Sequence, residues 1–132
     1  TRYRDIMKIT VCRLKSTDVY KLQNIVKKDI AENAYITWPF TRSVALEFIN
    51  DYNTWGIWIN GGILAGAIEI KETHETAYLV ATIYQNNGIA TEAIKKIKEI
   101  FHDRQLWCMI NPSNKASLKV ANNANMRVQF YR

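Results

Sequence analysis

Asn60-Gly61-Gly62 stands between two runs of apolar and β-branched residues, 55–59 and 63–70, and no other feature constrains the fold as strongly. Asparagine and glycine tolerate the positive φ angles of a tight turn, so the two runs read as an antiparallel hairpin. A polar turn at 71–75 leads to a third strand at 76–84. That strand ends in a glycine-containing loop, followed by a helix over 91–102 with the apolar stripe Ala93, Ile94, Ile97, Ile100 and Phe101. A further strand occupies 106–110. Strand, helix and strand in that order form a crossover, which a simple antiparallel meander does not contain.

The flanks extend the pattern. Ile9 and Val11 alternate with Thr10 and Cys12, giving a first strand over 9–14. Ser16 or Thr17 can cap a helix whose apolar positions Val19, Leu22, Ile25 and Val26 keep helical spacing to about Ile30. Trp38-Pro39-Phe40 interrupts the chain, and Thr41 can cap a second helix carrying Val44, Ala45, Phe48 and Ile49. A last helix over 116–124 gives way to a terminal strand over 127–131. The order predicts one α/β domain, an α+β sandwich with a mixed, mostly antiparallel sheet and helices on both faces. It occupies residues 1–132. Met7-Lys8-Ile9-Thr10 looks like a translation start, so Thr1 to Ile6 reads as an addition or an upstream extension.

Composition narrows the function classes. No apolar run approaches the roughly 18–20 residues of a membrane span, and no stretch resembles a secretion signal, so the expectation is a cytoplasmic protein without a membrane partner. Cys12 and Cys108 lie in strand-like runs without CxxC or Cys/His spacing. They read as two buried free thiols, with a disulfide or metal site as the other possibilities. His74 and His102 have no ligand-like neighbours, so no metal is expected. The net charge of +6 favours acidic partners, phosphorylated cofactors and nucleic acid among them. The basic residues are spread out, however, and the densest spots, Lys27-Lys28 and Lys95, Lys96, Lys98, suit solvated helix faces.

The chemistry concentrates in Gln85-Asn86-Asn87-Gly88-Ile89-Ala90. The first amides of the following helix have no partner inside it, and the helix dipole adds partial positive charge. Such a junction can hold a phosphate or pyrophosphate, or it can be a plain turn.

This loop resembles the [R/Q]-x-x-G-x-[G/A] signature of the GNAT acetyltransferase superfamily. Ala90-Thr91-Glu92-Ala93 is similar to the start of that helix in the branch acetylating ribosomal-protein N-termini, polyamines and some antibiotics. Leu64-Ala65-Gly66-Ala67-Ile68 resembles the family's third strand. Asn111-Pro112-Ser113-Asn114-Lys115-Ala116-Ser117, ending at Asn125-Met126, resembles its N-x-x-N-x-x-S segment. The four motifs fall in register over residues 9–131.

The resemblance implies an acetyl-CoA-dependent N-acetyltransferase that transfers directly to a primary amine, on a protein N-terminus or lysine or on a small amine. It implies that Gln85, Asn86, Asn87, Gly88, Ile89, Ala90 and the Thr91 amide hold the pyrophosphate. Val80, Ala81 and Thr82 would pair with the pantetheine arm, a backbone amide near Val80 would face the thioester carbonyl, and Asn114 would touch the arm. Ser117 would protonate the leaving thiolate, or instead bond its own helix. Glu69 and Glu75 are candidate bases, or solvated surface groups; His74 could serve likewise but reads more naturally as a turn residue. Tyr35, Trp38 and Phe40 are candidates for the acceptor pocket, or for the core.

Some positions depart from the family. Its acid tyrosine, four residues after Ser117, is Ala121 here; its glycine before the final strand is Asn125; its proline before the loop is Thr82. The usual last strand is lacking, so a second subunit, as in a homodimer, could close the acceptor side. These departures leave an alternative: a degenerate domain that binds CoA, protein or nucleic acid without catalysis.

Overall fold

The computed structural model describes residues 7–51 and 53–131, the side chain of Asp51 excepted; Thr1 to Ile6 lie outside the described residues. The elements in chain order are β1 (Ile9–Arg13), a 3-10 turn (Ser16–Asp18), α1 (Val19–Ile25), α2 (Lys28–Asn33), α3 (Arg42–Asp51), β2 (Thr54–Ile59), β3 (Ile63–Ile70), β4 (Thr76–Val80), a second 3-10 turn (Thr82–Tyr84), α4 (Ile89–Ile100), β5 (Trp107–Ile110), α5 (Lys115–Asn123) and β6 (Arg127–Phe130).

The predicted hairpin is β2–β3, and its turn places Asn60 and Gly61 at φ 52° and 81°. The sheet divides in two. β1-β2-β3-β4 form an antiparallel sheet in that order, while β5 and β6, joined by α5, pair in parallel. Helices cover both faces. On one side Ile57, Ile59, Ala65 and Ile68 meet Ile89, Ala93, Ile94 and Ile97 of α4 together with Ala121 of α5. On the other, Trp58, Leu64, Ala67 and Leu79 meet Leu22, Ile30 and Ala45 from α1, α2 and α3. Burial on both faces explains why β3 is nearly continuously apolar rather than strictly alternating. Ile94 and Ile97 are wholly buried, each contributing roughly 1.5–3 kcal/mol of hydrophobic stabilisation.

Several local expectations change. The first predicted helix breaks at Val26, whose extended ψ of 90° separates α1 from α2. Neither Ser16 nor Thr17 caps it: Asp18 accepts the Lys15 amide, and the Ser16 hydroxyl donates to Asn50 Oδ1. Thr41 does cap α3, its Oγ1 accepting from the Val44 amide at 3.2 Å. The third strand stops at Val80, because residues 82–84 turn as a 3-10 helix. The thiols are both free, but only Cys108 is buried; Cys12 is exposed on β1. No helix among the described residues is long and apolar enough to cross a membrane.

Candidate active site

β4 and β5 touch at one end and are unpaired beyond it. A single parallel bridge joins Glu75 to Trp107, with the Trp107 amide donating to the His74 carbonyl and its indole Nε1 donating to the Thr73 carbonyl. No ladder continues between the two strands among the described residues. The wedge opens into a cleft of about 1010 Å³ lined by α2, the connector after it, α3, β3, β4, β5 and the start of α5.

One wall is the free edge of β4. The Ala81 amide donates to the Ala65 carbonyl, so residues 77, 79 and 81 turn their polar groups to β3. Alternation then points those of Tyr78 and Val80 outward, into the wedge. Gly66 opposes Val80 in this register, and a Cβ there would lie 2.3 Å from the Leu79 carbonyl oxygen. Glycine is what allows β3 and β4 to approach so closely. Not all of the strand expected to pair with a pantetheine arm is available. The Val80 carbonyl already accepts Gln85 Nε2 at 2.9 Å, the Ala81 amide faces β3, and Thr82 has left the strand, its hydroxyl donating to Asp29. The Val80 amide remains.

Beyond that edge lies the loop. Asn86 and Gly88 both adopt left-handed backbone, φ 65° and 77°, with Gly88 as the N-cap of α4 and no side chain capping the helix. Gln85 ties the loop back to Val80, and Asn87 Nδ2 donates to the Gln85 carbonyl. Among the described residues, the amides of Asn86, Asn87, Gly88, Ile89, Ala90 and Thr91 find no acceptor. Consecutive unpaired amides at a helix start, in a loop stiffened by its own side chains, suit a pyrophosphate. Ile89 and Thr91 turn their side chains into the core, so they offer backbone alone.

The opposite wall is the start of α5. Asn114 caps the helix by accepting the Ser117 amide at 3.1 Å. Ser117 does not bond its own backbone. Its Oγ accepts instead from the Tyr78 hydroxyl across the wedge at 3.2 Å. Ala121, where the resemblance would place a tyrosine, is 1% exposed and belongs to the core.

The carboxylates differ from each other. Glu75 accepts Lys71 Nζ at 3.1 Å, and both line the cleft. Burial alone would lower the Lys71 pKa, but the hydrogen bond and charge of Glu75, with Glu69 and Tyr131, lift it above its usual value. Glu69 lines the same cleft without a hydrogen bond among the described residues. Burial, opposed by Lys71 and assisted by Glu75, raises its carboxyl above the ordinary 4.5. Burial, with a smaller push from Glu75, raises the Cys108 thiol to about 11, so it stays protonated.

Of the aromatic candidates, Tyr35 lines the cleft at φ 56°, its ring 6.4 Å from that of Tyr131. Trp38 is outside the lining, and Phe40 is a core residue packed edge-on against Phe48. His74, also outside the lining, is a turn residue with φ 72°. Sequence reasoning passed over Tyr78, Lys71, Glu32, Glu47 and Tyr131. Tyr78 was the one within reach, because strand alternation puts it on the same edge as Val80.

The model for the acetyltransferase (GNAT) domain matches residues 8–127. The chain belongs to the GNAT acetyltransferase family. Its fold is that of a GNAT acetyltransferase from Bacillus anthracis, with TM-score 0.74, 21% identity, and coverage of 91% of this chain and 80% of that one. The microcin self-immunity acetyltransferase MccE, solved with acetyl-CoA and AMP, matches at TM-score 0.73 and 18% identity, covering 89% and 77%. RimL, a ribosomal-protein α-N-acetyltransferase solved with coenzyme A, matches at 0.71 and 16%, covering 88% and 78%. No curated protein matches the chain. Family membership makes this GNAT domain an acetyltransferase, and among its described residues no group of His, Cys, Asp and Glu is arranged to hold a metal.

Proposed function

We propose that this protein transfers the acetyl group of acetyl-CoA directly to a primary amine on a cationic acceptor, and that Glu69 and Ser117 move the protons. The observation that carries the acceptor class is the sign of the cleft. Among the described residues, Glu32, Glu47, Glu69 and Glu75 line it against the single cation Lys71, on a chain whose net charge is +6. A cleft opposite in sign to its protein concentrates positively charged ligands and repels nucleic acid. Net charge alone, by contrast, favours acidic partners. Tyr35 and Tyr131 add ring faces at the same cleft, suited to a cation or to the apolar part of its carrier.

Acetyl-CoA supplies the activated thioester. Asn86, Asn87, Gly88, Ile89 and Ala90 bind its pyrophosphate with backbone amides. The Val80 amide, on the open edge of β4, polarises the carbonyl to be attacked. Glu69 accepts the proton the amine must lose. Its raised pKa makes it a stronger base than an ordinary carboxylate, while Glu75 stays engaged with Lys71. Ser117 returns a proton to the departing sulfur. Cys108 stays a thiol and forms no acyl-enzyme, in keeping with direct transfer.

The test is an acetylation panel of polyamines, aminoglycosides, and lysine-rich and acidic peptides, at low and high salt. We expect kcat/KM to rise with acceptor charge and to fall several-fold from ~0.05 to ~0.5 M salt, as cleft electrostatics are screened. Preference for acidic acceptors, or indifference to salt, would overturn the assignment.

A further inference from the structure

Tyr78 and Ser117 are 39 residues apart, yet their hydroxyls meet at 3.2 Å, the one side-chain hydrogen bond joining β4 to α5 among the described residues. We infer that Tyr78 is a positioning residue for acetyl transfer, donating to Ser117 Oγ so that the serine's own hydrogen is turned into the cleft as the proton donor. This rests on the acetyl-transfer reading and adds to it a residue that neither the motifs nor the resemblance assigns.

A serine hydroxyl can both donate and accept. It carries one hydrogen and two lone pairs, and in a helix it commonly spends the hydrogen on a carbonyl one turn back. Ser117 does not; among the described residues the one partner of its hydroxyl is Tyr78. A phenol is the stronger acid and an alkanol oxygen the better acceptor, so Tyr78 donates and Ser117 accepts. The Ser117 hydrogen is thereby left for a third group. Its position is held from two sides, because Asn114 Oδ1 anchors the amide while Tyr78 anchors Oγ. An oxygen that already accepts a hydrogen bond is also polarised toward giving up its own proton. Burial raises the Tyr78 pKa despite the opposing effect of Ser117, so the phenol keeps its hydrogen at neutral pH. On α5 itself no hydroxyl can substitute, since the next turn presents Ala121 to the core.

The protons balance. As the nitrogen–carbon bond forms and the carbon–sulfur bond breaks, the electron pair leaves on sulfur. Ser117 Oγ gives its proton there and takes one from Tyr78, which recovers one from water in the cleft. Glu69 removes one proton from the acceptor nitrogen and releases it to solvent. One proton is lost from nitrogen and one gained by sulfur.

Tyr78→Phe removes the hydroxyl and keeps the ring. It should lower kcat about 10- to 100-fold while the Kd for CoA, measured by calorimetry, stays within about twofold. In the Ser117→Ala background the same change should cost nothing further, because the two act as one unit. A readout independent of turnover is the ionisation of the bound CoA thiol, followed by thiolate absorbance against pH. Tyr78→Phe and Ser117→Ala should raise that pKa alike, and Ser117→Thr, which keeps a hydroxyl, should restore it. If Tyr78→Phe loses stability, the comparison within the Ser117→Ala background still decides. Unchanged kcat and thiol titration in Tyr78→Phe, or fully additive losses in the double variant, would overturn the inference and leave acetyl transfer standing. Failure of the wild-type protein to bind CoA would overturn both.

Discussion

The two halves of this site are built on opposite principles. The half proposed to hold pyrophosphate is six consecutive residues, and it offers backbone amides freed by left-handed Asn86 and Gly88 and by the start of α4. The half proposed to receive the amine gathers Glu32, Tyr35, Glu47, Glu69, Tyr78 and Ser117 from α2, the connector after it, α3, β3, β4 and α5. One half is local and made of main chain; the other is distributed and made of side chains. The difference teaches where change is tolerated. Any side chain that preserves φ and leaves the amides clear is admissible in the loop, apart from Gln85 as a tie. In the cleft, each side chain contributes its own charge or hydroxyl, and a single substitution changes what can bind.

The largest effect is expected of Gly88→Trp. A side chain at the N-cap would occupy the anion position and also force a large residue into left-handed backbone, so CoA affinity should fall by about 100-fold or more, roughly 2.7 kcal/mol or above. Calorimetry with CoA and far-UV circular dichroism should show lost binding on a retained fold. Unchanged affinity would remove the loop from the site.

A smaller effect is expected in the other half. Glu32→Lys combined with Glu47→Lys should raise KM for a polycationic amine about 10-fold and flatten its salt dependence, leaving the Kd for CoA unchanged. Loss of CoA binding in this variant would mean that the halves are not separable.

The smallest effect is also the most diagnostic. With Glu69 as the proposed base, acting as the carboxylate, kcat/KM should decline as pH falls through its raised pKa, and Glu69→Gln should lower the rate and abolish that acidic limb. The stability sign is opposite. A carboxyl whose folded pKa is raised costs stability once it ionises, so Glu69→Gln should slightly raise Tm at neutral pH. The gain should disappear below the ordinary value of 4.5, where both states bind the proton. A loss of Tm at neutral pH would contradict the raised pKa.

The hairpin at Asn60 and Gly61, the Thr41 cap, the Gln85–Gly88 loop and the α4 stripe up to Ile97 were legible in the sequence, whereas Ile100, expected in that stripe, is exposed. Each depends on backbone preferences or on a periodicity read over a few adjacent residues. Gly66 was legible as part of a motif, although its reason, the 2.3 Å approach of a Cβ to the Leu79 oxygen, belongs to strand pairing. Tertiary structure alone decided three matters. It sent Phe40 to the core and brought Phe48 to the cleft, because which face of a helix or connector is covered depends on the elements packed over it. It collected four glutamates in one place on a basic chain, since net charge carries no information about where charges converge. It also set Tyr78 against Ser117, a contact that exists only because β4 and β5 part company after a single bridge and let a side chain from one sheet reach the helix that serves the other.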